Sequence, residues 1–106
     1  MTEVTWSESE QTAAQEAFNK AYEREINSLI EGVKQQASAI TELDELWRLH
    51  DFLSAKRHEI EGKYDYRYSV LVFVFAKLLQ EEWLTLEELQ FLDRDKLAKI
   101  KVLAMM

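Results

Sequence analysis

The chain has 106 residues, no Cys, no Pro, two Gly and a net charge of −7. That length allows one domain, or one protomer of an oligomer. The missing Cys excludes a disulfide framework, a thiolate metal site and a Cys nucleophile, and the scarcity of turn residues excludes an all-β architecture.

The first helix signal is Ser7 with Glu10, a capping box in which each side chain satisfies a free backbone N–H. Apolar residues then recur as Ala14, Phe18, Ala21/Tyr22, Ile26, Leu29/Ile30, Val33, Ala37 and Ile40. Steps of three or four residues make this one helical stripe running to Ile40. Gly32 interrupts it, as a tolerated Gly or as a point of close helix–helix approach. Thr41 with Asp44 signals a second start, and Gly62 is a plausible C′ residue for that helix. Lys63-Tyr64-Asp65 reads as a turn. The stretch from Tyr68 to Trp83 opens on a β-branched and aromatic run that suits a buried strand, but its helix-favouring tail and the lack of a partner strand make it a helix buried nearly all round. Thr85 with Glu88 opens a short helix, and Asp93 caps a last one containing Leu97, Ile100 and Leu103. Lys96, Lys99 and Lys101 complement the macrodipole of that last helix.

The expected fold is therefore all-α and a single domain over 1–106, with a long-helix dimerisation region at about 7–62 and a helical head at about 64–106. A continuous first helix would be about 50 Å long at 1.5 Å per residue, longer than a compact domain of this size is wide. An elongated monomer leaves its apolar stripe uncovered, which points to a two-fold homodimer.

All the net charge lies in residues 1–53, so no basic face is available for phosphates and neither nucleic acid nor an anionic membrane is an expected partner. The longest apolar run, Val70 to Ala76, is far shorter than the ~18 residues needed to cross a bilayer. The first residues lack the basic and apolar regions of a secretory signal, so a soluble, cytoplasmic protein is expected.

The second helix carries a distinctive face. With Trp47 at 0° and about 100° per residue, His50, Asp51, Ser54, Arg57 and His58 fall within an arc of roughly 120° around it. Leu46, Leu49, Leu53 and Ile60 form a separate apolar stripe alongside. Trp47 as core with the rest solvated is one reading; an interface is the other, since Trp, His and Arg beside an apolar stripe is an interface composition. Asp51 and Arg57 sit on opposite edges of the arc, poorly placed to pair within one helix but able to meet across a two-fold axis. His50 and His58 are about 12 Å apart in rise, too far to share a metal ion. No Glu-x-x-His pair, phosphate loop or nucleophile elbow occurs, so no metal, cofactor or enzymatic activity is expected.

The segment Trp47-Arg-Leu-His-Asp-Phe-Leu-Ser-Ala-Lys-Arg-His-Glu-Ile-Glu-Gly-Lys-Tyr64, with Ser69 to Ala76 and Leu78-Leu-Gln-Glu81, resembles the cyanobacterial fluorescence recovery proteins. The resemblance extends from about Phe18 to Lys101. It implies an all-helical homodimer, or a higher oligomer, that binds the photoactivated orange carotenoid protein through that partner's C-terminal domain. It also implies acceleration of the partner's red-to-orange reversion, release from the phycobilisome and a place near the thylakoid surface. Trp47, His50, Asp51 and Arg57 match positions associated with the dimer interface and activity; Phe73 and Lys99 match head positions implicated in partner contact, although Phe73 also lies in the apolar run and suits the core. A helical adaptor or anti-regulator of another protein is the alternative.

Overall fold

A computed structural model describes residues 5–106. Four α-helices and one 3-10 turn follow in order: α1 (Glu8–Ala39), α2 (Leu43–Lys63), α3 (Leu71–Gln80), the 3-10 turn Glu87–Leu89, and α4 (Arg94–Ala104). No strand occurs among the described residues, as the lack of turn residues requires.

The sequence signals for three of the starts are physically present. Ser7 and Glu10 form both halves of the capping box at the head of α1. Thr85 and Glu88 exchange the same pair of bonds around the 3-10 turn. Asp93 Oδ1 accepts from the Lys96 N–H at 2.9 Å and starts α4.

Three boundaries differ from the sequence expectation. The N-cap of α2 is Glu42, with no side-chain bond, because the Thr41 hydroxyl turns to Glu45 instead of a backbone N–H. Gly62 is not a C′ residue: α2 continues through it to Lys63, where Tyr64 N–H donates to Ile60 O at 3.1 Å. The Tyr68–Trp83 helix contracts to Leu71–Gln80. It ends in a Schellman arrangement in which Trp83 N–H reaches Leu78 O and Glu82 N–H reaches Leu79 O. Glu82 takes φ 66° there, the left-handed position that usually falls to Gly.

α1 has 32 residues and so is about 48 Å long, within a molecule of 54 × 25 × 23 Å. The core sits at one end of it. Leu71, Val72, Val74, Phe75, Ala76 and Leu78 of α3 pack with Leu84, Leu89, Leu92 and Ile100 against Trp6, Ala14, Ala17 and Ala21. The side chains that α1 gives to this cluster are the small ones, Ala14, Ala17 and Ala21. Beyond Glu25 no residue of α1 is buried, and α2 buries only Ile60. α1 and α2 run back to back over the distal half as a two-helix arm, with a cleft of about 210 Å³ between them lined by Leu29, Val33, Phe52 and Lys56. Among the described residues, no helix is long and apolar enough to cross a membrane.

A left-handed L-residue is strained by about 1–2 kcal/mol, part of which Gly returns as unfolded-chain entropy. Glu82→Gly should therefore stabilise the protein by about 0.5–1 kcal/mol and raise its melting temperature by about 3–6 °C, read by circular dichroism. Glu82→Ala should give no such gain.

Candidate functional site

Charged clusters tie α1 to the head. Glu10 closes the capping box of α1 with Oε1 and, with Oε2, accepts from the backbone N–H of Asp93, the N-cap of α4. Lys96 Nζ lies between Glu10 at 3.1 Å and Asp93 at 2.8 Å, and donates to Thr5 O. Its ammonium also stands 4.8 Å over the Trp6 ring. Trp6 lies tilted against the rings of Tyr68 and Phe75, and its indole N–H is buried without a partner among the described residues. Lys96 is thus not a solvated cation serving the macrodipole of α4; it is 6% exposed and joins the N-terminal ends of α1 and α4. Burial raises the Glu10 carboxyl, but the Ser7 and Asp93 N–H bonds and Lys96 outweigh it, leaving it below its usual range.

Midway along α1, Glu25 is 1% exposed. Lys63 Nζ lies 2.7 Å from its carboxylate, the Tyr64 hydroxyl donates to it at 2.7 Å, and Lys56 stands at 3.5 Å. Lys63 also reaches Glu81 at 2.6 Å, and Trp83 Nε1 donates to that same carboxylate. Phe18 and Tyr22 of α1 hold the Tyr64 ring edge-on. The residue before Glu25, Arg24, forms a two-pronged pair with Glu88 at 2.8 and 2.7 Å and donates to Trp83 O.

Around these anchors the sequence-derived residues take definite places. Trp47 is 55% exposed, which overturns its reading as core within the protomer: α2 faces no helix on that side. Its ring meets His50 edge-on at 6.3 Å, and His50 Nδ1 lies 3.3 Å from Asp51 Oδ1. Arg57 turns to Glu61, with Nε 2.9 Å from Oε1, and leaves Asp51 alone, as their positions on the arc require. His50, Ser54, Arg57 and His58 line one shallow groove on the outside of α2. Leu43, Leu46, Trp47 and Phe52 are all substantially exposed, and Ile30 of α1 with them.

Phe73 is also not in the core; it is 52% exposed, because the apolar run of α3 carries more residues than its inner face accepts. Lys99 of α4 stands 5.2 Å over its ring, a cation–π contact that brings the two head candidates together from separate helices. Among the described residues no group of His and carboxylates is arranged to hold a metal ion.

Glu25 and Trp6 carry no role by spacing, and the spacing roles of Lys63 in a turn and Lys96 at the α4 dipole give way to their ion pairs with Glu25 and Glu10. The one available signal is Glu25 itself, an acid four residues after Ala21 and in line with Ala14 and Ala17, where a helix facing a core carries apolar residues.

The sequence model of the family described as photoprotection regulator fluorescence recovery protein matches residues 6–104. The fluorescence recovery protein of Synechocystis sp. is 58% identical over 102 residues, which is 96% of this chain and 94% of that relative. The solved structure of the Fremyella diplosiphon fluorescence recovery protein matches with a TM-score of 0.94 at 64% identity, over 96% of this chain and 100% of the other. The structure of the Synechocystis protein matches with a TM-score of 0.93 at 57% identity and the same coverage.

The Arg24 pair, with the Thr85 bonds, holds the Glu88 carboxyl at about 2 against an ordinary 4.5. A depressed carboxylate stabilises the fold fully above its unfolded pKa and loses that contribution as pH falls through the folded one. Stability should therefore drop between about pH 4.5 and 2. In urea titrations across that window, Glu88→Gln should start less stable at neutral pH and lose less on acidification.

Proposed function

This chain belongs to the fluorescence recovery protein family of photoprotection regulators, and we propose that it binds the photoactivated orange carotenoid protein, chiefly at that partner's C-terminal domain. It accelerates the return of the red form to the orange form and promotes release from the phycobilisome, ending fluorescence quenching. The observation that carries this reading is the family match over residues 6–104. It acts without covalent chemistry, from the cytoplasm and at the thylakoid surface where phycobilisomes sit.

The working unit is a homodimer joined along α2, with Trp47, His50, Asp51 and Arg57 in the interface. The exposed Trp47 and Leu46 support this, since aromatic and apolar side chains left open along a helix need a cover. Asp51 of one protomer meets Arg57 of the other, and the two-fold repeats the pair. Partner contact falls to the head, where the Phe73 ring and the Lys99 ammonium offer one apolar and one cationic group side by side.

A protein that speeds a partner's relaxation by binding alone must hold the transition state more tightly than the activated ground state. Docking on one partner domain while drawing the other towards it achieves this, because it raises their effective concentration. The protein is released afterwards and acts again. Dark recovery of the partner's orange absorbance should therefore accelerate at substoichiometric amounts of this protein, and Phe73→Ser with Lys99→Glu should reduce the effect at least tenfold. Recovery unchanged at every added concentration refutes the assignment.

A further inference from the structure

α2 carries the Trp47–Arg57 face, yet little holds α2 to the rest of its own protomer. Of its 21 residues only Ile60 is buried. From Ser28 onward the facing half of α1 buries nothing, and an open cleft separates the two helices at Leu29, Gly32, Val33 and Phe52. A Cβ added at Gly32 would meet nothing within 4 Å, so the glycine marks no close approach. Among the described residues, every polar contact between α1 and α2 ends on one carboxylate, Glu25, which receives Lys56 and Lys63. Tyr64, the C-cap of α2, donates to it as well. Lys63 passes the connection on to Glu81 at the end of α3.

We infer that Glu25 is a positioning residue: its contacts with Lys56, Lys63 and Tyr64 form a polar clasp that sets the angle of α2, and with it the placement of the Trp47–Arg57 face. The physical reason is the difference between apolar and polar attachment. An apolar seam accepts many nearly equal registers, whereas a buried ion pair with directed hydrogen bonds satisfies its groups in one geometry only. Desolvation of the charges offsets most of their attraction, so such a clasp adds little net stability while it fixes orientation. The anchored end of α2 is the Lys63–Tyr64 end, against the Phe18 and Tyr22 rings. The Leu43 end, some 30 Å away at 1.5 Å per residue, is tied to α1 only by the three-residue connection 40–42, with no polar contact between the two helices there among the described residues. Any tilt of α2 that this connection allows is opposed at Glu25 and, without that contact, is carried to Trp47. Nothing in this depends on the identity of the partner protein.

The chain has no native Cys, so Glu16→Cys in α1 and Asp44→Cys at the start of α2 give two unique spin-label sites, both exposed. Doubly labelled protein, diluted into an excess of unlabelled protein, reports the distance between them within one protomer. In Glu25→Leu/Lys63→Met, where apolar groups of similar size replace the pair, the width of that distribution should at least double while helical content stays unchanged. Lys63→Arg, which keeps the pair, should retain the narrow parental distribution. A double variant as narrow as the parent overturns the role of Glu25. Should the double variant lose its helical signal, the isosteric Glu25→Gln serves in its place, with broadening expected and an unchanged distribution again overturning it.

Discussion

A 32-residue helix cannot be enclosed by a chain of 106 residues. At about 48 Å it is well over the roughly 34 Å width of a compact domain of this size, and the rest of the architecture follows from that mismatch. The radius of gyration is 16.8 Å, against about 13 Å for a compact chain of about 100 residues. There is apolar material enough for one core, and the chain places it at the N-terminal end of α1, where Ala14, Ala17 and Ala21 leave room for α3. The other end of α1 receives only α2, and that pairing leaves Ile30, Leu43, Leu46, Trp47 and Phe52 open.

The two ends are held by different physics. In the head, apolar burial supplies the stability, and Lys96 with Glu10 and Asp93 fixes where the N-terminus of α1 meets α4. At the head of the arm, a buried carboxylate collects an ammonium and a phenol. Such groups must be satisfied together or not at all, since a buried charge left alone is costly. They therefore specify geometry more than they add stability. The exposed faces, one on α2 and one at Phe73 and Lys99, are carried on these fixed supports.

Much of this was legible in the residues. The capping pairs Ser7/Glu10 and Thr85/Glu88 and the cap Asp93 depend on positions three residues apart, so local spacing reveals them. The length of α1 and the arc from Trp47 to His58 follow from helical period alone. What period cannot give is contact between distant positions: Glu25 meets Lys63 across 38 residues, and Glu10 meets Lys96 across 86. Period also fails within the run Val70 to Ala76, where every side chain is apolar and only the packed structure shows that Phe73 is the one left outside. Glu82 escaped for another reason: a left-handed position normally announces itself by Gly, and here the following Trp83 and Leu84 hold the turn without one.

In the proposed dimer a second copy of the chain covers the open face of α2. Molecular mass in solution, measured by sedimentation or light scattering over a dilution series, tests this. A wild-type protein of twice the chain mass is expected, with dissociation to single chains in both Asp51→Leu and Arg57→Leu. A wild-type protein that is monomeric at every concentration, or a dimer unchanged in both variants, would contradict a dimer joined along this face.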